Sequence, residues 1–256
     1  MAEKSHETLV DTQFGAQASA YLHSDVHSQG SDLQVLAALV SGKREARVLD
    51  LGCGGGHVSF HVAPEVGEVV AYDLSADMLA AVEAEAARRG LGNLVTRRGA
   101  AEDLPFAAGS FDAVFSRFSA HHWWDFDAGL REAARVLKSG GAAAFIDSIC
   151  PGVPLFDTYL QSVELLRDPS HVRSYSRAEW EEMLARAGLA PRAASRHRVR
   201  LAFDVWIERM QTPKVQADAI RALQAKMSDS VACYFAVEAD GTFQIELAVF
   251  EAGKTG

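Results

Sequence analysis

From Arg47 onward the apolar residues follow two alternating rhythms: short uninterrupted runs, and longer stretches with apolar positions three and four apart. The first run is Val48-Leu49-Asp50-Leu51, ended by Gly52, and the second, from Glu68 to Tyr72, ends at Asp73. Short runs bounded by turn residues predict strands, longer periodic stretches predict helices, and their alternation predicts βαβ units around a parallel sheet. Val58 to Ala63 forms the first crossover helix, stopping near Pro64. Ser75 is placed to cap a helix carrying Met78, Leu79, Val82 and Ala86, with Gly90 as its stop. Leu94 to Arg97 reads as a third strand and Phe111 to Ser116 as a fourth. A helix over Asp127 to Lys138 follows, with Leu130, Ala133, Ala134 and Leu137 on one face, then Gly140-Gly141 and a fifth strand, Ala142 to Asp147.

The flanks differ in kind. Upstream, Ser31-Asp32-Leu33-Gln34 fits a capping box opening a helix with Leu33, Leu36, Ala37 and Val40 as its apolar positions. Downstream, Ser176-Arg177-Ala178-Glu179 fits a second one, followed by Trp180, Met183, Leu184 and Ala187 and closed by Gly188. Trp206 to Gln211 and Val215 to Met227 read as helices. Val231 to Val237, an Asp240-Gly241 turn and Phe243 to Phe250 read as an antiparallel hairpin.

Composition narrows the function classes. The 256 residues hold 25 Lys+Arg against 34 Asp+Glu, a net charge of −9, which would repel a nucleic-acid backbone. Cys53, Cys150 and Cys233 are odd in number and widely spaced, so neither a disulfide framework nor a zinc site is expected, and no other metal cluster is apparent. Met1 to Val10 lacks the apolar core of a secretory signal, and no uncharged apolar stretch approaches the ~20 residues of a membrane span. A cytoplasmic protein without membrane insertion is expected, built as one domain over residues 1–256. Its core would cover about 46–147 plus the C-terminal strands, with cap elements from about 1–40 and 151–230.

The chemistry concentrates where the first strand ends. Asp50-Leu51-Gly52-Cys53-Gly54-Gly55-Gly56 brings glycines directly after a buried strand, where the main chain can turn sharply and approach a ligand closely. A dinucleotide fingerprint needs a third glycine where this chain has His57. Asp73, about 20 residues beyond the first glycine at the end of the next strand, is placed to accept both hydroxyls of a ribose. A nucleoside cofactor is favoured, with NAD still open.

The wider pattern resembles a known family. Asp50-x-Gly52-x-Gly54-x-Gly56, Asp73, Gly99 to Phe106, Ser110-Phe111-Asp112-Ala113-Val114 and Arg135 to Gly141 stand in the order and spacing of the class I S-adenosylmethionine-dependent methyltransferases, especially the branch of the ubiquinone and menaquinone biosynthesis C-methyltransferases. The resemblance covers roughly Ala46 to Asp147. It implies a doubly wound, Rossmann-like α/β sheet of seven strands, mostly parallel with an antiparallel C-terminal strand, plus helical cap elements, with S-adenosylmethionine as cofactor. It also implies that Gly52, Cys53 and Gly54 pass under the methionine part, that Asp50 fixes the loop or the ammonium group, and that Asp73 holds the ribose. Leu74 and Met78 would pack near the adenine, and Ala101 and Glu102 would border its edge. The chain departs from the family at Ala100, where Asp is frequent, and at Ser139, where Pro is.

The acceptor is expected beside the fourth strand end, Ser116-Arg117-Phe118-Ser119-Ala120-His121-His122-Trp123-Trp124-Asp125. His121 and His122 are candidate catalytic bases, with one of the two expected to reach the pocket, and Arg117 could pair the cofactor carboxylate or an anionic acceptor. The loop lacks the acidic-or-polar, proline-proline, aromatic pattern of amino-methylating DNA enzymes, which favours a small-molecule acceptor. Phe14, Tyr21, Phe156, Tyr159, Trp180 and Trp206 are candidates to line the cap. Two other classes stay open: an NAD-dependent oxidoreductase, and a catalytically silent cofactor-binding or scaffolding protein.

Overall fold

Val48 to Leu51, Val69 to Tyr72 and Ala113 to Ser116 are buried on both faces of the sheet, and that explains their unbroken runs, whereas Leu94 to Arg98 lies at the sheet edge and is mostly exposed. A computed structural model of the protein describes residues 5–15, 17 and 30–255. In it, β1 (Arg47–Leu51), β2 (Glu68–Asp73), β3 (Leu94–Arg98), β4 (Phe111–Arg117), β5 (Leu137–Ile149), β6 (Leu189–Leu201) and β7 (Phe243–Lys254) form one seven-stranded sheet in the order β3-β2-β1-β4-β5-β7-β6. Neighbours pair in parallel except at β7, which runs antiparallel to both β5 and β6. This is the doubly wound architecture anticipated from the sequence. The order reverses at β1 and β4, so their carboxyl ends diverge into a crevice.

Helices cover both faces. On one side α1 (His6–Gly15), α2 (Ser31–Val40), α3 (His57–Val62) and α4 (Ala76–Arg89) precede β3 in the chain. Leu33, Leu36 and Val40 of α2 pack with Val58 and Val62 of α3 against Val48, Val69, Ala113 and Phe115. On the other side α5 (Phe126–Val136) and α7 (Arg177–Arg186) bury Phe126, Leu130, Trp180 and Leu184 against Leu49, Val70, Val114, Phe145 and Phe250. Alternate residues of β1 thus belong to different cores: Val48 faces one and Leu49 the other. A further core joins α6 (Pro154–Arg167), α8 (Phe203–Arg209), α9 (Lys214–Lys226) and α10 (Asp229–Tyr234) to the start of β7 through Tyr159, Val163, Trp206, Ile220, Phe235 and Phe243.

The predicted ends hold where caps define them. The Ser75 side chain accepts from Met78 N, Gly90 closes α4 in the left-handed conformation, and Ser176 with Glu179 makes a complete capping box. Three readings are corrected. Upstream, α2 starts one residue earlier than the expected cap position, with Ser31 as its first residue and extended Gly30 before it. Val231 to Val237 is not a strand. Asp229–Tyr234 is helical, opened by Ser228, and the antiparallel partner of Phe243 onward is β6. Gly140-Gly141 does not precede the fifth strand but lies within it, since β5 already begins at Leu137. Among the described residues, no helix is long and apolar enough to cross a membrane, and no Cys/His/acid cluster could hold a metal.

Candidate functional site

A cleft lies across the carboxyl ends of β1, β2 and β4, where strand topology leads a ligand site to form. Its floor is the turn after β1. Gly52, at φ +72°, and Gly54, at φ +48°, take conformations that cost other residues. The amides of Gly52 and Cys53 donate to the Tyr72 carbonyl at 2.8 and 3.0 Å, pinning the turn to β2. A side chain at Gly52 would collide with Ser119, so the β1 and β4 loops approach at backbone distance.

Two carboxylates hold this floor. Asp73 Oδ2 accepts the Gly54 amide at 2.8 Å and Oδ1 accepts the Ser75 amide at 2.9 Å, which leaves each oxygen further acceptor capacity toward the cleft. Burial raises the Asp73 pKa against these hydrogen bonds. Asp50 is deeper. Its Oδ2 accepts both the amide and the hydroxyl of Ser59, at 3.0 and 2.6 Å, whereas Oδ1 is buried without a hydrogen-bond partner among the described residues. Burial pushes Asp50 up to about 7 despite the Ser59 bonds. An orphaned buried acceptor beside a backbone cradle fits a ligand that brings a cationic donor.

Every residue singled out for the cofactor borders this cleft: Asp50, Gly52, Cys53, Gly54, Asp73, Leu74, Met78, Ala101, Glu102 and Arg117. Met78 is also 99% buried against the core side, so it serves packing and wall together. Glu102 already accepts the Asp125 amide at 3.3 Å, and burial raises its pKa. Arg117 Nε donates to Asp32 at 2.6 Å, with both side chains buried, and its guanidinium lies 4.6 Å from the Phe118 ring centre. The helix carrying Asp32 therefore orients Arg117. Buried His57, in the place of a third glycine, borders the cleft as well.

Both histidines border the cleft, which corrects the expectation that one would. Ala120–His122 is a single 3-10 turn, and the two rings lie side by side with centres 4.1 Å apart. His121 Nδ1 is 2.5 Å from Asp147 Oδ1 near the end of β5. Burial alone would lower the His121 pKa; the charge and hydrogen bond of Asp147, with Glu164 and Asp168 behind them, outweigh it and leave it raised. His122 Nδ1 faces the Ser170 carbonyl at 3.1 Å, and burial and the neighbouring His121 push it down to about 3. His171 follows the same course, down to about 2.

Apart from Trp206, the far wall was not anticipated. Glu164, Arg167 and Asp168 from the end of α6, Val199 and Leu201 of β6, Trp206 and Arg209 of α8, Met210, and Ile245 and Leu247 of β7 all border the cleft. Asp147 could have been suspected, because it lies near the end of the strand beside β4; the α6 acids carry no local signature. Of the cap aromatics, Phe14 and Trp206 line the cleft. Phe156 and Tyr159 pack within the cap core, Trp180 stacks on Phe250 inside the main core, and Tyr21 lies outside the described residues.

Comparison with known proteins places this geometry in a family. Residues 49–145 match the family described as a methyltransferase domain. An uncharacterized protein of Escherichia coli, YafE, is 45% identical over 203 residues, 79% of this chain and 98% of that one. The uncharacterized methyltransferase YcgJ of Bacillus subtilis is 35% identical over 79% of this chain and 80% of its own. Its crystal structure superposes with a TM-score of 0.84 at 31% identity, covering 88% of this chain and 99% of that one. The ubiquinone/menaquinone biosynthesis C-methyltransferase UbiE of Sinorhizobium fredii is 35% identical over 60% of this chain and 63% of its own. With the strand order, the glycine turn and its following acid, these relatives establish that the chain belongs to the class I S-adenosylmethionine-dependent methyltransferases.

Proposed function

We propose that the protein transfers a methyl group to a small, largely apolar acceptor held between His121 and the wall of Phe118, Trp206, Met210, Ile245 and Leu247. S-adenosylmethionine supplies an already electrophilic methyl on a sulfonium, so the chain's task is alignment and exclusion of water. Gly52, Cys53 and Gly54 lie under the methionine part, and Asp50 Oδ1 accepts from its ammonium group. Asp73 uses the remaining lone pairs of its two oxygens on the ribose hydroxyls, Leu74 and Met78 flank the adenine, and Ala101 and Glu102 border its edge. Arg117, held by Asp32, faces the amino-acid end. His121 and His122 stand on the acceptor side. We read the whole chain as one cytoplasmic methyltransferase domain, since β7 packs into both the sheet core and the cap core.

The observation that carries this reading is the continuity of the cleft. The residues around Asp50 and Asp73 and those of the cap, apolar Trp206, Met210, Ile245 and Leu247 among them, line one and the same cleft, and an in-line displacement needs that adjacency. The net charge of −9 favours a small acceptor over a polynucleotide. Incubation with methyl-labelled S-adenosylmethionine and a fractionated cell extract is expected to place label in the small-molecule fraction. Label in the nucleic-acid or protein fraction, or none, would overturn the acceptor class.

A further inference from the structure

The two adjacent histidines are not equivalent. Asp147 Oδ2 accepts the backbone amide of His121 at 3.2 Å, while Oδ1 accepts the Ser148 amide at 2.8 Å and faces His121 Nδ1 at 2.5 Å. A carboxylate only accepts, so in the neutral ring that acts as a base the proton sits on Nδ1 and the lone pair on Nε2. That Nε2 has no hydrogen-bond partner among the described residues, and the side chain is 18% exposed where it borders the cleft. His122 is committed elsewhere. Its Nδ1 points at the Ser170 carbonyl, its Nε2 is 3.9 Å from Asp168, and its own carbonyl accepts His6 Nε2 at 2.8 Å.

Resting on the acceptor position proposed above, we infer that His121, oriented by Asp147, is the base that deprotonates the acceptor, and that the acceptor therefore presents a phenolic or enolic hydroxyl on an apolar body. As the acceptor O–H bond breaks, its proton moves to His121 Nε2. The oxygen pair forms the new O–C bond, and the C–S bond breaks with its pair left on sulfur. The positive charge of the sulfonium ends on the His121 imidazolium, which Asp147 faces. The groups around His121 favour that outcome: Asp147 from β5 and Glu164 and Asp168 from α6 are acids, against Arg167 from α6 and the histidines His122 and His171. Asp147 acts through the ring and is a positioning residue. An acceptor that needed no deprotonation, such as a tertiary amine, would leave this dyad without a task.

The test uses full-length protein saturated with S-adenosylhomocysteine, whose binding is followed by calorimetry in the same samples, and 4-nitrophenol, whose anion absorbs in the visible range. Bound probe is expected to titrate lower than free probe by about 1 unit or more. The shift should vanish in His121→Gln and shrink in Asp147→Asn. Long-range nitrogen NMR of histidine-labelled protein is expected to show His121 as the Nδ1–H tautomer, and Asp147→Asn to change that signature. A probe that fails to bind, binds unshifted, or keeps its shift in His121→Gln overturns the inference, as does an Nε2–H tautomer. Absent calorimetric heat would instead count against the cofactor roles proposed above, while the tautomer would still decide the dyad.

Discussion

Asp50 illustrates how one buried residue serves structure and ligand in opposite senses. Ser59 satisfies one oxygen and leaves the other bare, and burial holds the carboxyl up near 7. The folded protein therefore binds more protons here than the unfolded chain between about pH 4 and 7, so the stability Asp50 contributes is full below about 4 and is lost as pH rises through 7. Asp50→Asn should raise the denaturant midpoint at pH 8 and weaken cofactor binding, a split that urea titration and calorimetry on the same variant resolve. Binding of cationic S-adenosylmethionine at pH 6.5 should release protons from the wild type, seen as buffer-dependent heats, and release fewer from Asp50→Asn. At Asp73 the structure extends the expected role. Because its oxygens also hold the Gly54 and Ser75 amides, Asp73→Ala should raise the cofactor dissociation constant at least about tenfold, or ~1.4 kcal/mol, and also lower the melting temperature. An unchanged constant would take Asp73 out of the ribose site.

Among the elements, the turn after β1 joins sequence to site most directly. Gly52 and Gly54 both have positive φ, but a Cβ on Gly54 meets nothing within 4 Å, whereas one on Gly52 collides with the Ser119 side chain. Gly54→Ala should therefore cost only the conformational penalty of about 1–2 kcal/mol. Gly52→Ala should cost more and push the β4 loop away from the cofactor. Thermal melts and affinities that rank the two variants in the opposite order would contradict the close approach of these loops. This half of the site was legible in the sequence because each part is local: an apolar run, a glycine turn, an acid at the next strand end. On the acceptor side only the His121-His122 loop, Phe14 and Trp206 were legible. Asp147 meets His121 across 26 residues, and Glu164 and Asp168 arrive on a helix whose spacing shows no chemistry. Strand β6 escaped notice because it lies at the sheet edge, with exposed arginines at 192, 196, 198 and 200 in place of an apolar run. Short Asp229–Tyr234 read as a strand because Val231, Tyr234 and Phe235 supply apolar, strand-prone residues, of which Val231 and Phe235 are buried in the cap core while Ser228 opens a helix.

Across the whole molecule, α1 ties the two halves of the cleft. His6 reaches the His122 carbonyl, Asp11 pairs at 3.0 Å with Arg98, which also donates to the Leu74 carbonyl, and Gln13 donates to the Met210 carbonyl in the cap at 3.0 Å. Hydrogen exchange at residues 6–15 should slow when S-adenosylhomocysteine binds, since Glu7, Val10 and Phe14 border the cleft. Unchanged exchange would make α1 a bystander. A cleft with a glycine turn but no third glycine should hold S-adenosylmethionine and not a dinucleotide. Isothermal calorimetry of the full chain with S-adenosylmethionine, S-adenosylhomocysteine and NAD tests it directly. Saturable heat is predicted for both sulfur ligands, weakened in Asp73→Ala, with none for NAD. Heat for NAD and silence for both sulfur ligands would instead make the cleft a dinucleotide site.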